Sequence, residues 1–398
     1  MLQDASIIVL SSIDWSFNRQ NPQEVALALA AGGHRVLFIE NTGVRRAELK
    51  DMPRLWSRFR NWLRARGTVK QTECGVHIFS PLLLPLPYSR SAVFINTRVL
   101  VHAVRRWLGA GGGPLIVITF LPTPLVRAAI RALSPALVVY YCIDRLAESS
   151  PGARKVVHSE YKLFSEADFV LVTSDVLYKA AAELTERVYL LPSGVCVDKF
   201  ERAWQSRTTA LQEFTGISEP VVGYIGSLRS AIDIRLLARV AELAPDLQFV
   251  LAGPRFVDVT PLARRPNVRL LDAIPHDDVM KYMVRFDAGV LPYLINEFTD
   301  GIMPVKLKEY LAAGLPVVAT PLPEVIRFAE QHPGLVKFAA EPVDFVTALR
   351  AATTDRESEA VEHRVSVARQ YDWSHQMARL ANLIDESLPG DGRNHESD

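Results

Sequence analysis

Short apolar runs alternate with segments of helical period along almost the whole chain. Runs of four to six β-branched and aromatic residues predict strands at 6–10, 34–39, 76–79, 115–119, 136–141, 169–172 and 187–191. Helical patterns lie between them at 21–31, 53–66, 91–108, 124–132, 152–166 and 174–183. Continuous apolar strands suit a parallel sheet covered on both faces, and their alternation with helices argues for βαβ units. Turn signals in Pro192-Ser193-Gly194 and a polar stretch then break the rhythm. The alternation restarts with strands at 221–225, 247–252, 268–271, 288–291, 316–319 and 335–338. Helices are expected there at 232–243, 276–285, 304–313, 322–330 and 342–354, with a last one near 373–388.

The expected organisation is two doubly wound α/β domains in tandem. Residues 1–200 form the first, 201–216 a linker, 217–370 the second, and 371–390 a helix packing back toward the first. Such sheets bind ligands at the carboxyl ends of their strands, so two hinged domains are expected to face across a cleft.

Composition narrows the class. With 398 residues, 49% hydrophobic and 22% charged, the chain is neither disordered nor fibrous. No apolar run approaches the roughly 18 residues of a spanning helix. The start, MLQDASIIVLSS, lacks the basic segment of a secretory signal. Cys74, Cys142 and Cys196 show neither metal-ligand spacing nor even pairing. Reduced thiols fit a cytoplasmic location.

Charge is unevenly placed. Residues 45–107 hold thirteen Lys/Arg against Glu48, Asp51 and Glu73, while the whole chain is only +1. Such asymmetry points to an anionic surface as partner. Within 54–67, Leu55, Trp56, Phe59, Trp62 and Leu63 fall on one helical face, with Arg54, Arg58, Arg60, Arg64 and Arg66 around them. This pattern suits an interfacial membrane helix; an ordinary helix packing an aromatic stripe is the competing reading.

The densest chemistry lies in 268–325. Asp300-Gly301-Ile302-Met303-Pro304 is a loop feeding a helix, with Pro304 suited to the first turn. Free amides at that start form an anion site, and Lys306 and Lys308 add positive charge. A diphosphate suits that site, and Glu309 can accept hydrogen bonds from adjacent ribose hydroxyls. A solvated helix face with Gly314 as a plain cap fits the same spacing. Strand-end glycines recur at Gly226, followed by Arg229, and at Gly253.

Together these residues resemble the donor domain of GT-B glycosyltransferases of the family 4 kind. The resemblance is strongest to a bacterial subgroup making cell-surface polysaccharides, teichuronic-acid-type transferases included. "GYIGSL", "LAGP", "NVRLL…IPHDDVMKYMVRFDAGVLPY" and "PVKLKEYLAAGLPVVATPLPEV" occur in the family's order and spacing. The first half shares "YYCID", "SEADFVLVTSDVLY" and "LLPSGVCVDKF". The resemblance implies that Glu309 binds the ribose and that Gly226 and Arg229 hold the diphosphate. Met303, Pro304 and Lys306 would approach the donor sugar and phosphates, and the strand end from Leu271 would read the base. The family's E-x7-E pattern would place its first glutamate at 301, where this chain has Gly301; Asp300 and Glu297 are the nearby carboxylates. Asp272 and Arg145 also depart from the pattern.

On the acceptor side, Asp14, Trp15, Asn18 and Gln20 occupy the loop after the first strand, and helix capping with a packed tryptophan is the plainer alternative. Asp144 follows the strand "LVVYYCI" and is a candidate base in an inverting enzyme. N-capping and an ion pair with Arg145 compete for it, and in a retaining enzyme it would only orient the acceptor.

The expectation is therefore a peripheral, metal-independent hexosyltransferase on the inner face of the cell membrane. Its donor is a UDP- or GDP-linked sugar, and no cofactor is expected. Its partners are a lipid-linked or glycan acceptor and an anionic membrane surface, with no nucleic acid. A nucleotide-sugar epimerase and a non-catalytic scaffold of the same fold are the alternatives.

Overall fold

The computed structural model describes residues 5–16, 19–40, 42–43, 69–109, 113–148, 153–207 and 211–388. The basic stretch carrying Leu55, Trp56, Arg58, Phe59, Arg60, Trp62, Leu63 and Arg64 lies outside them, as does Asn18. No described helix is long and apolar enough to cross a membrane.

The chain divides into two units. Unit 1 comprises residues 1–192 and 376–398, and unit 2 comprises 193–375. The expected linker at 201–216 thus falls within unit 2. The helix Val197–Gln205 occupies its start, burying Val197, Phe200 and Ala203.

Unit 1 is built on strands β1 (Ser6–Leu10), β2 (Arg35–Ile39), β3 (Lys70–Gln71), β4 (His77–Phe79), β5 (Leu115–Thr119), β6 (Leu137–Cys142), β7 (Phe169–Val172) and β8 (Val188–Leu190). They form one sheet in the order β3-β4-β2-β1-β5-β6-β7-β8. All pairs are parallel except the short edge pair β3–β4. Unit 2 adds β9 (Val221–Ile225), β10 (Gln248–Ala252), β11 (Val268–Leu271), β12 (Ala288–Leu291), β13 (Val317–Ala319) and β14 (Val336–Phe338). Its sheet runs β11-β10-β9-β12-β13-β14 and is parallel throughout. That is the dinucleotide-fold order 3-2-1-4-5-6, whose ligand crevice opens at the carboxyl ends where the order reverses, here between β9 and β12.

The central strands are apolar because helices cover both faces. All five residues of β1 and of β9 are buried. Glycines in the second sheet make room for rings. A Cβ on Gly223 would lie 1.9 Å from the Phe286 ring, and one on Gly289 would lie 2.5 Å from Tyr310. An aspartate locks each sheet in the same way. Asp168, just before β7, accepts the Val138 amide at 2.6 Å, and Asp287, just before β12, accepts the Val221 amide at 2.6 Å.

Candidate functional site

The carboxyl edge of the second sheet is stitched by its own backbone. The Gly226 N–H donates to the Ala252 carbonyl at 2.8 Å and the Gly253 N–H to the Leu271 carbonyl at 3.3 Å, linking the ends of β9, β10 and β11. The Leu228 N–H donates to Pro254 at 2.9 Å and the Phe256 N–H returns to Leu228 at 2.8 Å. On the other side, the Asp233 N–H donates to Pro292 at 2.8 Å and the Leu294 N–H to Ala231 at 2.9 Å. The loops after β9, β10 and β12 are therefore one continuous surface. Gly253 has φ +142, and a Cβ there would lie 2.2 Å from the Gly226 carbonyl oxygen. Only glycine lets these two backbones approach so closely.

The chain then reaches the helix Val305–Ala312 through a capped turn. Asn296 Oδ1 accepts the Phe298 and Thr299 amides, each at 3.1 Å, and the Thr299 hydroxyl donates to Leu294 at 2.6 Å. Pro304 is the N-cap rather than the first helical residue. The Leu307 amide donates to the Pro304 carbonyl at 3.1 Å, the Val305 and Lys306 amides precede any carbonyl of the helix they could bond, and the helix dipole favours an anion there. At the far end Gly314, at φ +71, completes a Schellman motif: the Leu315 N–H donates to Tyr310 and the Gly314 N–H to Leu311, both at 2.9 Å. Arg364, buried, donates to the Gly314 carbonyl at 3.0 Å, and Trp204 Nε1 donates to Ala313 at 3.1 Å. This pins the helix against the core.

One face of the helix remains accessible. Leu307, Lys308, Tyr310 and Leu311 are buried, Val305 is exposed, and Lys306 and Glu309 are half-buried. Lys306 reaches across to the β9 loop. Its ammonium lies 5.5 Å from the centre of the Tyr224 ring. A Cβ on Gly226 would fall 2.1 Å from Lys306 Cε and 2.5 Å from Nζ. Arg229, in the same loop, has its guanidinium 5.7 Å from the Phe256 ring. Glu309 lies three residues after Lys306 on the same helix and shares its accessible side. The structure thus gathers Gly226, Arg229, Gly253, Leu271, Met303, Pro304, Lys306 and Glu309 at one sheet edge of unit 2. Glu297 is exposed and Asp300 half-buried in the preceding turn.

Lys308 is the exception. The expectation that it adds charge beside Lys306 is overturned: it is buried, donates to the Ser193 carbonyl at 2.7 Å, and has the Tyr371 ring face 4.5 Å away. Burial lowers its pKa from 10.5 to about 7. Residues two apart in a helix point about 200° apart, so both lysines could not serve one ligand.

The carboxyl edge of unit 1 is organised by Glu40, which the sequence did not single out. Its carboxylate, buried at the end of β2, accepts the Trp15 amide at 2.8 Å and the Ser80 hydroxyl at 2.5 Å, fastening the loops after β1, β2 and β4. Trp15 packs edge-on against Phe38 at 4.9 Å. Gln20 N-caps the helix Asn21–Ala31, its amide donating to Gln23 Oε1 at 2.8 Å. Asp14 is half-buried. Asp144 is exposed at the bend after β6. Beneath it, the Tyr140 hydroxyl donates to Glu160 at 2.5 Å, and burial raises the pKa of Glu160 above its ordinary 4.5. Burial likewise pushes up the Cys142 thiol.

The fold has close counterparts among solved structures. An Anabaena protein, Alr3699/HepE, solved with UDP-glucose, superposes with a TM-score of 0.67 at 12% identity, over 96% of this chain and 100% of that one. A glycosyltransferase from Rickettsia africae ESF-5 gives 0.66 at 10% identity, over 98% and 100%.

The chain has the GT-B fold.

Sequence comparison agrees where the site is densest. Residues 219–355 match the family model described as glycosyl transferases group 1. A Bacillus subtilis (strain 168) protein, TuaH, provisionally assigned as a teichuronic acid biosynthesis glycosyltransferase, is 31% identical over 258 residues. That match spans 60% of this chain and 64% of TuaH, short of two thirds of the relative's length.

Proposed function

We propose that the chain is a glycosyltransferase that moves a hexosyl group from a nucleoside-diphosphate sugar to a glycan acceptor during cell-surface polysaccharide synthesis. The observation that carries this is the meeting of Lys306 with Gly226 at the β9 edge, on a helix whose accessible side also bears Glu309. The diphosphate lies over the β9 loop and the helix start, within reach of Arg229 and Lys306, and Glu309 accepts hydrogen bonds from the ribose. HepE, which has been solved with UDP and with UDP-glucose, shares the fold, and the family match falls on this unit.

In the reaction, the acceptor hydroxyl oxygen bonds to the anomeric carbon as the bond from that carbon to the β-phosphate oxygen breaks. The nucleoside diphosphate leaves, and its growing charge meets two cations and the helix dipole, with no metal or cofactor assigned a part. The hydroxyl proton goes to Asp144 if the enzyme inverts and to the leaving phosphate if it retains. The acceptor is offered by unit 1, and a lipid-linked one would hold the protein at the inner face of the cell membrane.

The test is to incubate the full chain with UDP- and GDP-sugars, with and without a lipid-linked glycan. Nucleoside diphosphate released together with an extended glycan supports the reading. Epimerised donor formed without acceptor would replace it with epimerisation, and donor binding without any turnover would leave a scaffold.

A further inference from the structure

The described residues of unit 1 present an exposed apolar surface beside its carboxyl edge. The helix Arg90–Leu108 follows β4 and the helix Pro124–Leu133 follows β5, so both begin at that edge, and they pack together. An open groove of about 440 Å³ lies between their first turns. Tyr88, Val93, Phe94, Pro124 and Ala128 supply its apolar lining. Arg90 and Arg98 stand on its rim, and the Arg98 guanidinium lies 4.2 Å from the centre of the Phe94 ring. The volume falls within the roughly 300–1,000 Å³ of ordinary small-molecule sites.

The surroundings continue the same chemistry. Phe94 is 57% exposed, and Ile95 and Val99 are exposed beside it. Leu82, Leu84 and Leu86 project from the preceding proline-rich loop. That exposure is built in, because buried Asn96 clamps the loop: its side chain accepts the Leu84 amide at 2.9 Å and donates to the Leu84 carbonyl at 3.0 Å. The helix carries Arg90, Arg98, Arg105 and Arg106 and no acidic residue. Contiguous exposed apolar side chains with one sign of charge mark a ligand that is apolar and anionic at once.

We propose that this groove binds the hydrocarbon chain of a phosphate-linked lipid acceptor, with Arg90 and Arg98 on its phosphate. The proposal rests on the reading of unit 1 as the acceptor side. It places the lipid at the same sheet edge as Asp14 and Asp144, so that the attached glycan extends along that edge.

The test uses farnesyl phosphate as the probe on the full chain, with saturating UDP present to occupy unit 2. Farnesol, inorganic phosphate and octyl glucoside serve as controls. Farnesyl phosphate is expected to bind at least tenfold more tightly than any control. Phe94→Asp, at an exposed position, should abolish binding, and Arg98→Gln should weaken farnesyl phosphate about tenfold while leaving farnesol unchanged. UDP affinity should be unaltered in both variants. Equal affinity for octyl glucoside, displacement of the probe by UDP, or full binding by Phe94→Asp would overturn the proposal while leaving the donor reading intact. Pelleting with phosphatidylglycerol vesicles, lost in Phe94→Asp, without any farnesyl phosphate binding, would make this a bilayer-docking face and equally overturn it. Groove binding with no affinity for any nucleotide sugar would instead fault the transferase reading.

Discussion

The two units share a doubly wound parallel plan, yet their functional edges are built differently. Unit 2 shapes its edge with backbone: glycines in contact, loops tied by amide hydrogen bonds, and a helix fixed at its far end. Unit 1 has the same backbone links at its strand ends, Ser11 to Ile39 at 2.9 Å and Phe120 to Leu10 at 2.9 Å, and adds side chains, Glu40 fastening three loops and Asn96 holding out a row of leucines. A backbone edge suits a diphosphate, which every nucleoside-diphosphate sugar shares. A side-chain edge suits an acceptor, which differs from one enzyme to the next. Burial also moves the protonation of Lys308 in unit 2 downward and of half-buried Glu160 in unit 1 upward.

The sharpest break of this contrast is at Gly253. In Gly253→Val the new Cβ meets the Gly226 carbonyl, which is backbone and cannot swing away. A loss of about 3 kcal/mol in unfolding free energy is expected by urea denaturation, with nucleotide binding lost. Gly226→Ala should cost less, about 1–2 kcal/mol, because the residue sits at φ +157 but its Cβ meets chiefly the flexible end of Lys306, and it should weaken nucleotide affinity about tenfold. Equal stabilities for the two variants would mean the loops do not depend on that contact.

Next in size is the pH dependence of unit 2. Lys308 is protonated up to pH 10.5 in the unfolded chain and only below about 7 when folded. Between those values the unfolded state binds more protons, so stability rises with pH by up to about 1.4 kcal/mol per unit. Subtracting the curve for Lys308→Met should isolate that slope. Parallel curves for the two proteins would show that Lys308 does not titrate in this range.

Glu160 of unit 1 should respond in the opposite sense. Burial raises the Glu160 pKa, so the folded state holds its proton above pH 4.5 and stability falls as pH rises through the raised value. Glu160→Gln should flatten that fall, as followed by thermal unfolding from pH 4 upward. A steeper fall in the variant would contradict it.

Sequence made the strands legible because parallel strands buried on both faces are unbroken apolar runs. β1, β5, β7, β9, β11 and β12 begin and end where the pattern places them. It missed the helix Ser358–Gln370, whose buried residues are only Arg364, Val367 and Ala368, too few for a visible apolar stripe. It likewise read Val197–Gln205 as a hinge because Pro192-Ser193-Gly194 signals a turn just before it. The residues proposed for the donor could be placed at one sheet edge from sequence because all but Glu309 sit at or beside a strand end or a helix start, where local sequence fixes position. Glu40 and Asn96 were not legible, because their roles depend on loops 25 and 12 residues away. Lys308 was within reach, since helical periodicity alone separates it from Lys306.

The most direct measurement is nucleotide-sugar affinity, by titration calorimetry with UDP- and GDP-sugars, for the native chain, Glu309→Ala and Lys308→Met. One donor should bind the native protein. Glu309→Ala should lose ten- to a hundredfold in affinity while remaining folded, about 1.4–2.7 kcal/mol. Lys308→Met should bind as the native chain does. Undiminished affinity in Glu309→Ala would contradict the donor site described above.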